Sequence, residues 1–269
     1  MWKWIRRLLI GLLIVLILLV VGIAALIGYD SAFGAKVADV ANVRYPAADG
    51  TELVGYLAQP EGSGPFPAML MVHEWWGLNA EIVEMAEKLA AQGYVVLAPD
   101  TYRGSVTSLV PRAIFLRITT PEDRVDGDMQ AAYAFLAAQP GVDAARIGVM
   151  GFCYGGGVAL RHGVDNPAIR ATINLYGDTI ADPAAFGALL EPDAGPVLGI
   201  FGERDTQIPL SEVQAFDQAL EAAGIVSTVS IYPEMPHAFV NPAGIAAGGA
   251  PREAWDQILA FLDDTLKAA

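Results

Sequence analysis

The longest apolar stretch in the chain comes first. Positions 8–28 carry no charged or strongly polar side chain, 21 residues in all, and at a helical rise of about 1.5 Å each they cross the hydrocarbon core of a bilayer. The pattern predicts one transmembrane helix. Trp2 and Trp4 suit the membrane interface, and Lys3, Arg6 and Arg7 precede the run while Asp30 and Lys36 follow it. The positive-inside bias then places the N-terminus in the cytoplasm and the remaining chain on the outer, periplasmic or extracellular side. A run this long exceeds the ~7 to 15 residues of a signal-peptide core, which favours a retained anchor over a cleaved signal.

After the anchor, at 1–29, positions 30–42 read as a short linker and 43–269 as the globular domain. The domain opens with segments 43–45 and 53–59 flanking Asp49 and Gly50, a dipeptide that favours a tight hairpin turn between an antiparallel pair. Short apolar runs follow at 68–72, 94–98, 147–150, 171–175, 197–201 and 229–232, the pattern of strands buried on both faces. Helical spacing lies between them. One helix is capped by Asn79, buries Ile82, Ala86 and Leu89, and stops at Gly93; a second starts at Thr120 and Pro121 and buries Val125, Met129, Ala132 and Leu136. The last follows Pro251 with Trp255, Ile258, Leu259, Leu262 and Leu266. Strands alternating with helices predict an α/β fold around a doubly wound, mostly parallel sheet.

The net charge is -14, and the acids lie entirely beyond the anchor. Such a surface repels nucleic-acid phosphates, and an anionic substrate would depend on a local arginine. With one cysteine in the chain no intramolecular disulfide forms. One cysteine and three scattered histidines show none of the spacings that clasp zinc, so no metal or organic cofactor is expected.

That single cysteine is conspicuously placed. The strand at 147–150 leads into Gly151, Phe152, Cys153, Tyr154 and Gly155, a Gly-x-Cys-x-Gly version of the nucleophile elbow. Glycines are needed there because strand and helix meet at a strained turn. The backbone N–H of Tyr154 is a candidate oxyanion donor at the helix N-terminus. Among the histidines, His162 lies down the following helix and His73 at a strand end, whereas His237 follows the last strand, where this architecture delivers a base. The orienting acid should fall between nucleophile and histidine in chain order, after the penultimate strand. Asp205 fits best, with Glu203 the alternative.

These residues, together with the stretch from Met71 to Gly77 and that from Ala98 to Arg103, resemble the dienelactone hydrolase family over roughly 43–266. The resemblance implies an α/β-hydrolase with a Cys-His-Asp triad, acting on a small-molecule ester or lactone. It implies a glutamate that helps generate the thiolate, here Glu74, and a second oxyanion N–H on the next residue, here Trp75. Trp75 and Trp76 would crowd the pocket with apolar surface. The family's best-known members hold a substrate carboxylate with two arginines. One of those positions is Asn241 in this chain, and the other falls on Arg112 or Arg117, with Arg112, beside Pro111, preferred. Two further readings are a broader esterase or thioesterase and a non-catalytic membrane-tethered binding module; the sequence leaves the oligomeric state open.

Overall fold

A computed structural model describes residues 2–268. Its sheet is built from β1 (Val43–Pro46), β2 (Glu52–Ala58), β3 (Phe66–Val72), β4 (Val95–Pro99), β5 (Val142–Phe152), β6 (Thr172–Leu175), β7 (Val197–Gly202) and β8 (Ser227–Tyr232). The spatial order is β1-β2-β4-β3-β5-β6-β7-β8. The opening hairpin pairs antiparallel, β2 runs antiparallel to β4, and each neighbouring pair from β4 to β8 is parallel. Gly50 supplies the positive φ of 82° in the hairpin turn, and Asp49 Oδ1 accepts the Thr51 N–H at 2.8 Å.

Alternation along the buried strands sorts the core onto two faces. Met69 and Met71 of β3 pack on one side with Ile82, Met85 and Leu89 of α2 (Ala80–Ala90) and Trp255 and Ile258 of α8 (Ala250–Leu262). Ala68, Leu70 and Val72 point the other way, to Val125 and Met129 of α4 (Glu122–Ala137) and Val158 of α5 (Tyr154–Asp165). A full layer on each face explains the unbroken apolar runs. Asn79 Oδ1 caps α2 through the N–H groups of Glu81 and Ile82, both at 3.1 Å. The parallel strands place all their C-terminal ends on one edge, and the candidate residues lie there.

Two elements depart from the pattern. Strand β5 starts at Val142, earlier than expected, because its first residues are half-exposed and include Asp143 and Arg146. Helix α1 (Trp2–Phe33) continues past the apolar run into the stretch expected to be linker, and the apolar part of it is not buried against the rest of the chain. Its end is held by α3 (Val110–Thr119). Asp30 Oδ2 receives Arg112 Nη1 at 2.7 Å and Thr107 Oγ1 at 2.5 Å, with Asp30 and Arg112 only 8% and 9% exposed.

Removing one partner of a buried ion pair costs about 3–5 kcal/mol, because the other charge is left desolvated. Arg112→Ala should therefore loosen the junction of α1 and α3. Hydrogen exchange at the amides of α3 is expected to accelerate while β3 and β5 keep their protection.

Candidate active site

Strand β5 turns into α5 at Cys153, which adopts φ 54° and ψ -119°. A methyl group on Gly151 would strike the Gly155 carbonyl, and one on Gly155 would strike the Val72 carbonyl, so neither position accepts a larger residue. Cys153 N donates to Leu175 O at 3.0 Å and Gly156 N to Cys153 O at 2.9 Å, which ties the turn to β6 and to the first turn of α5. The residue is left partly buried above a helix N-terminus. The backbone N–H groups of Tyr154 and Trp75, the two donors that the sequence and the family resemblance single out, lie close enough to its sulfur to favour the thiolate.

Asp205 follows β7 and is buried. Its Oδ1 accepts the N–H groups of Gln207 at 2.7 Å and Ile208 at 3.0 Å, and its Oδ2 lies 2.7 Å from His237 Nδ1. Two backbone donors fix the carboxylate, and the carboxylate fixes the imidazole tautomer with the proton on Nδ1. The ring is braced edge-on by Tyr176 at 5.2 Å between centroids, and Tyr176 Oη in turn donates to Val240 O at 3.0 Å. His237 Nε2 is buried and pairs with no protein atom among the described residues. Glu203, the alternative acid, instead accepts the Glu234 N–H at 3.0 Å on the surface. The other two histidines are spoken for. His73 Nδ1 lies 2.6 Å from Glu74 O and its Nε2 accepts the Thr101 N–H at 3.2 Å; burial pushes it and His162 down to about 4, so both stay neutral.

The thiol is held back. Burial first, then the negative charge of Glu74, push Cys153 up to about 12, against the pull of the Tyr154 and Trp75 amides. Glu74 is itself pushed up to about 7 by burial and by the charge of Glu81, with the Trp76 indole acting the other way. Near neutral pH the site therefore holds a protonated thiol beside a carboxyl that can take or give a proton.

Cys153, His237, Trp75, Tyr154, Tyr176, Gln207 and Arg117 line one cavity of about 240 Å³. Glu74 and Asn241 line a neighbouring cavity of about 220 Å³ with Met85 and Val240. The expected substrate contacts are redistributed. Arg112 is consumed by Asp30 and does not reach the Cys153 cavity; Arg117, five residues further along α3, does. Arg117 lies over the Tyr154 ring at 5.4 Å and pairs with Asp178 at 2.9 Å. Asn241 caps α7 (Pro242–Ala247), accepting the Gly244 N–H at 2.8 Å and donating to Ala238 O at 3.1 Å. Trp76 packs on Trp75, centroids 5.0 Å apart, without lining the Cys153 cavity. Tyr176, Asp178 and Gln207 were not singled out from the sequence. Their only signal there is position, immediately after β6 and within the loop after β7.

Comparison with known proteins identifies the family of the chain. A family model described as "Dienelactone hydrolase family" matches residues 53–266. A protein of Methylorubrum extorquens named "Putative carboxymethylenebutenolidase" is 34% identical over 207 residues, 73% of this chain and 71% of its own. One of the same name from Yersinia pestis is 31% identical over 204 residues, 71% of this chain and 75% of its own. Among solved structures, the "Putative Dienelactone Hydrolase" of Klebsiella pneumoniae subsp. pneumoniae aligns with a TM-score of 0.70 at 27% identity, covering 85% of this chain and 98% of that one. The chain thus belongs to the dienelactone hydrolase family and is a hydrolase of the α/β-hydrolase fold.

Proposed function

We propose that this chain hydrolyses a carboxylic ester or lactone through a thioester on Cys153, with His237 and Asp205 as base and orienting acid and Glu74 as keeper of the resting thiol proton. The observation that carries the reading is a convergence in one cavity. An imidazole whose Nδ1 is held by Asp205 and whose Nε2 is unpartnered stands in the same small space as a cysteine at a strained strand-to-helix turn.

At rest the sulfur lies beside the two amide groups, and His237 Nε2 has no partner among the described residues. A substrate carbonyl oxygen entering between the N–H groups of Trp75 and Tyr154 displaces the sulfur from them. Transfer of the thiol proton to Glu74 then removes the very carboxylate charge that opposes a thiolate. The thiolate forms a C–S bond to the carbonyl carbon, and the C=O electron pair moves onto the oxygen held by the two amides. Collapse breaks the ester C–O bond, and the leaving alkoxide takes from Glu74 the proton that came from the thiol as it departs as alcohol. A water then gives one proton to His237 Nε2 while its oxygen attacks the thioester; the C–S bond breaks, the acid leaves, and the proton on His237 returns to the sulfur.

We further assign the N-terminal helix as a membrane anchor, its Lys3, Arg6 and Arg7 end cytoplasmic and the hydrolase on the outer side. A substrate range wider than anionic dienelactones is favoured by one pair of contacts. Arg117 already has a carboxylate partner in Asp178, and Asn241 stands as a helix cap where the best-known relatives carry arginine.

Cys153 is the only cysteine, so iodoacetamide labelling reads it alone. In the wild type the labelling rate should rise through pH about 7, as Glu74 ionises and becomes able to accept the proton. Glu74→Gln should lose that rise and label about tenfold more slowly at pH 8. Were Glu74 only a fixed charge, removing it would lower the thiol pKa and labelling would quicken; that result rejects its assigned role. Cys153→Ala should abolish turnover, and His237→Ala should stop hydrolysis while leaving labelling measurable.

The two arginines separate in kinetics. Arg117→Ala is expected to raise KM for esters with an acidic acyl group by about tenfold, the worth of one charge-assisted contact, and to leave neutral esters within about twofold. Equal losses for both classes would remove Arg117 from substrate recognition.

A further inference from the structure

Helix α3 packs Ala113 and Leu116 on the core, yet its outer face is apolar as well. Its arginines point inward, Arg112 to the buried Asp30 and Arg117 to the Cys153 cavity, while Val110, Pro111, Ile114, Phe115 and Ile118 point outward. Ile118 is 73% exposed, Phe115 50%, Val110 48% and Ile114 45%. Positions 110, 114 and 118 recur at helical spacing, and 111 and 115 widen the same face. No charged residue interrupts that arc on a chain of net charge -14. A contiguous apolar helix face is costly in water and marks a surface with a partner.

The position of the helix says which partner. Asp30, the residue that clamps Arg112 and Thr107, lies two residues beyond the apolar run of α1, about 3 Å along the helix axis. The buried ion pair therefore holds α3 at the level where α1 leaves the hydrocarbon. Tyr29 and Phe33, 67% and 75% exposed with rings 5.0 Å apart, stand at the same level, and aromatic rings favour the membrane interface.

We propose that the outward face of α3 lies in the headgroup–acyl boundary of the bilayer that α1 spans. This rests on the anchor assigned above. Because Arg117 of the same helix lines the Cys153 cavity, one wall of that cavity then stands against the membrane surface. The substrates it receives are amphiphilic carboxylic esters partitioned in the lipid, rather than esters free in bulk water.

The test uses the full chain in phosphatidylcholine–phosphatidylglycerol vesicles. Single spin labels are placed by Ile118→Cys, Val15→Cys or Val226→Cys, each in a Cys153→Ser background. Val15 lies within the apolar run, and Val226, 76% exposed, precedes β8 at the opposite end of the sheet from the site. Collision with oxygen, which concentrates in lipid, is compared with collision with a water-soluble nickel chelate. The label at 118 is expected to be rich in oxygen contact and poor in chelate contact, as at 15, and the label at 226 to show the reverse. If 118 behaves like 226 while 15 reports lipid, the anchor stands and the α3 proposal is overturned. If 15 also reports water, both fall. A label at 118 shielded from both probes means that a protein covers the face, which likewise overturns the proposal.

A kinetic arm tests the substrate class. The double variant Ile114→Glu, Ile118→Glu in vesicles should lose about tenfold in kcat/KM on a long-chain ester dissolved in the bilayer and stay within about twofold on a short water-soluble ester. Unchanged turnover of the long-chain ester would contradict it. The labelling arm needs no activity, so it remains decisive whatever becomes of the hydrolytic reading.

Discussion

Cys153 stands at φ 54° where β5 becomes α5, a backbone conformation that costs about 1–3 kcal/mol in a residue with a side chain. The turn is held by hydrogen bonds from Cys153 N to Leu175 O and from Gly156 N to Cys153 O, and by glycines where β5, β3 and α5 touch backbone to backbone. Its consequence is directional. A relaxed strand would carry the side chain into one of the two packed layers; the strained turn lifts it to the C-terminal edge of the sheet. There Trp75 follows β3, Tyr176 follows β6, Gln207 follows β7 and His237 follows β8, so segments distant in sequence supply one cavity.

Electrostatics at that edge then decide what the cysteine can do. A thiol pushed up to about 12 stays protonated at neutral pH unless a base takes its proton, and burial also raises Glu74 to about 7. The two groups oppose each other as charges, so a proton passing from sulfur to carboxyl relieves the repulsion instead of adding to it. His237 is arranged differently: Asp205 is saturated by two amides and the imidazole, leaving only Nε2 to act. On this account, activation of the thiol and hydrolysis of the thioester fall to two separate bases.

Much of this was legible in the chain. The paired-face strands declared themselves as unbroken apolar runs, and Asn79, Gly50 and the glycines around Cys153 announced a cap, a turn and a close approach through their own local chemistry. Chain order was enough to place Asp205 and His237 after consecutive parallel strands. What the sequence hid were choices made by distant partners. Arg112 and Arg117 look alike in sequence, but Asp30, 82 positions upstream, takes the first and leaves the second for the cavity. Asn241 was a candidate contact by its offset from His237, yet the helix that begins at Pro242 needs its side chain as a cap. Helix α3 escaped the pattern because apolar residues stand on its outer face as well as its inner one, and a periodicity argument assumes that apolar means inward.

The central claim is covalent, and it is tested most directly by rapid-quench mass spectrometry during turnover of a p-nitrophenyl ester. The account predicts that the peptide bearing Cys153 gains the mass of the acyl group, that the adduct is labile to hydroxylamine at neutral pH as a thioester is, and that it persists in His237→Ala. Steady hydrolysis with no acyl mass on Cys153 at any quench time, or with the acyl group on another residue, would contradict it.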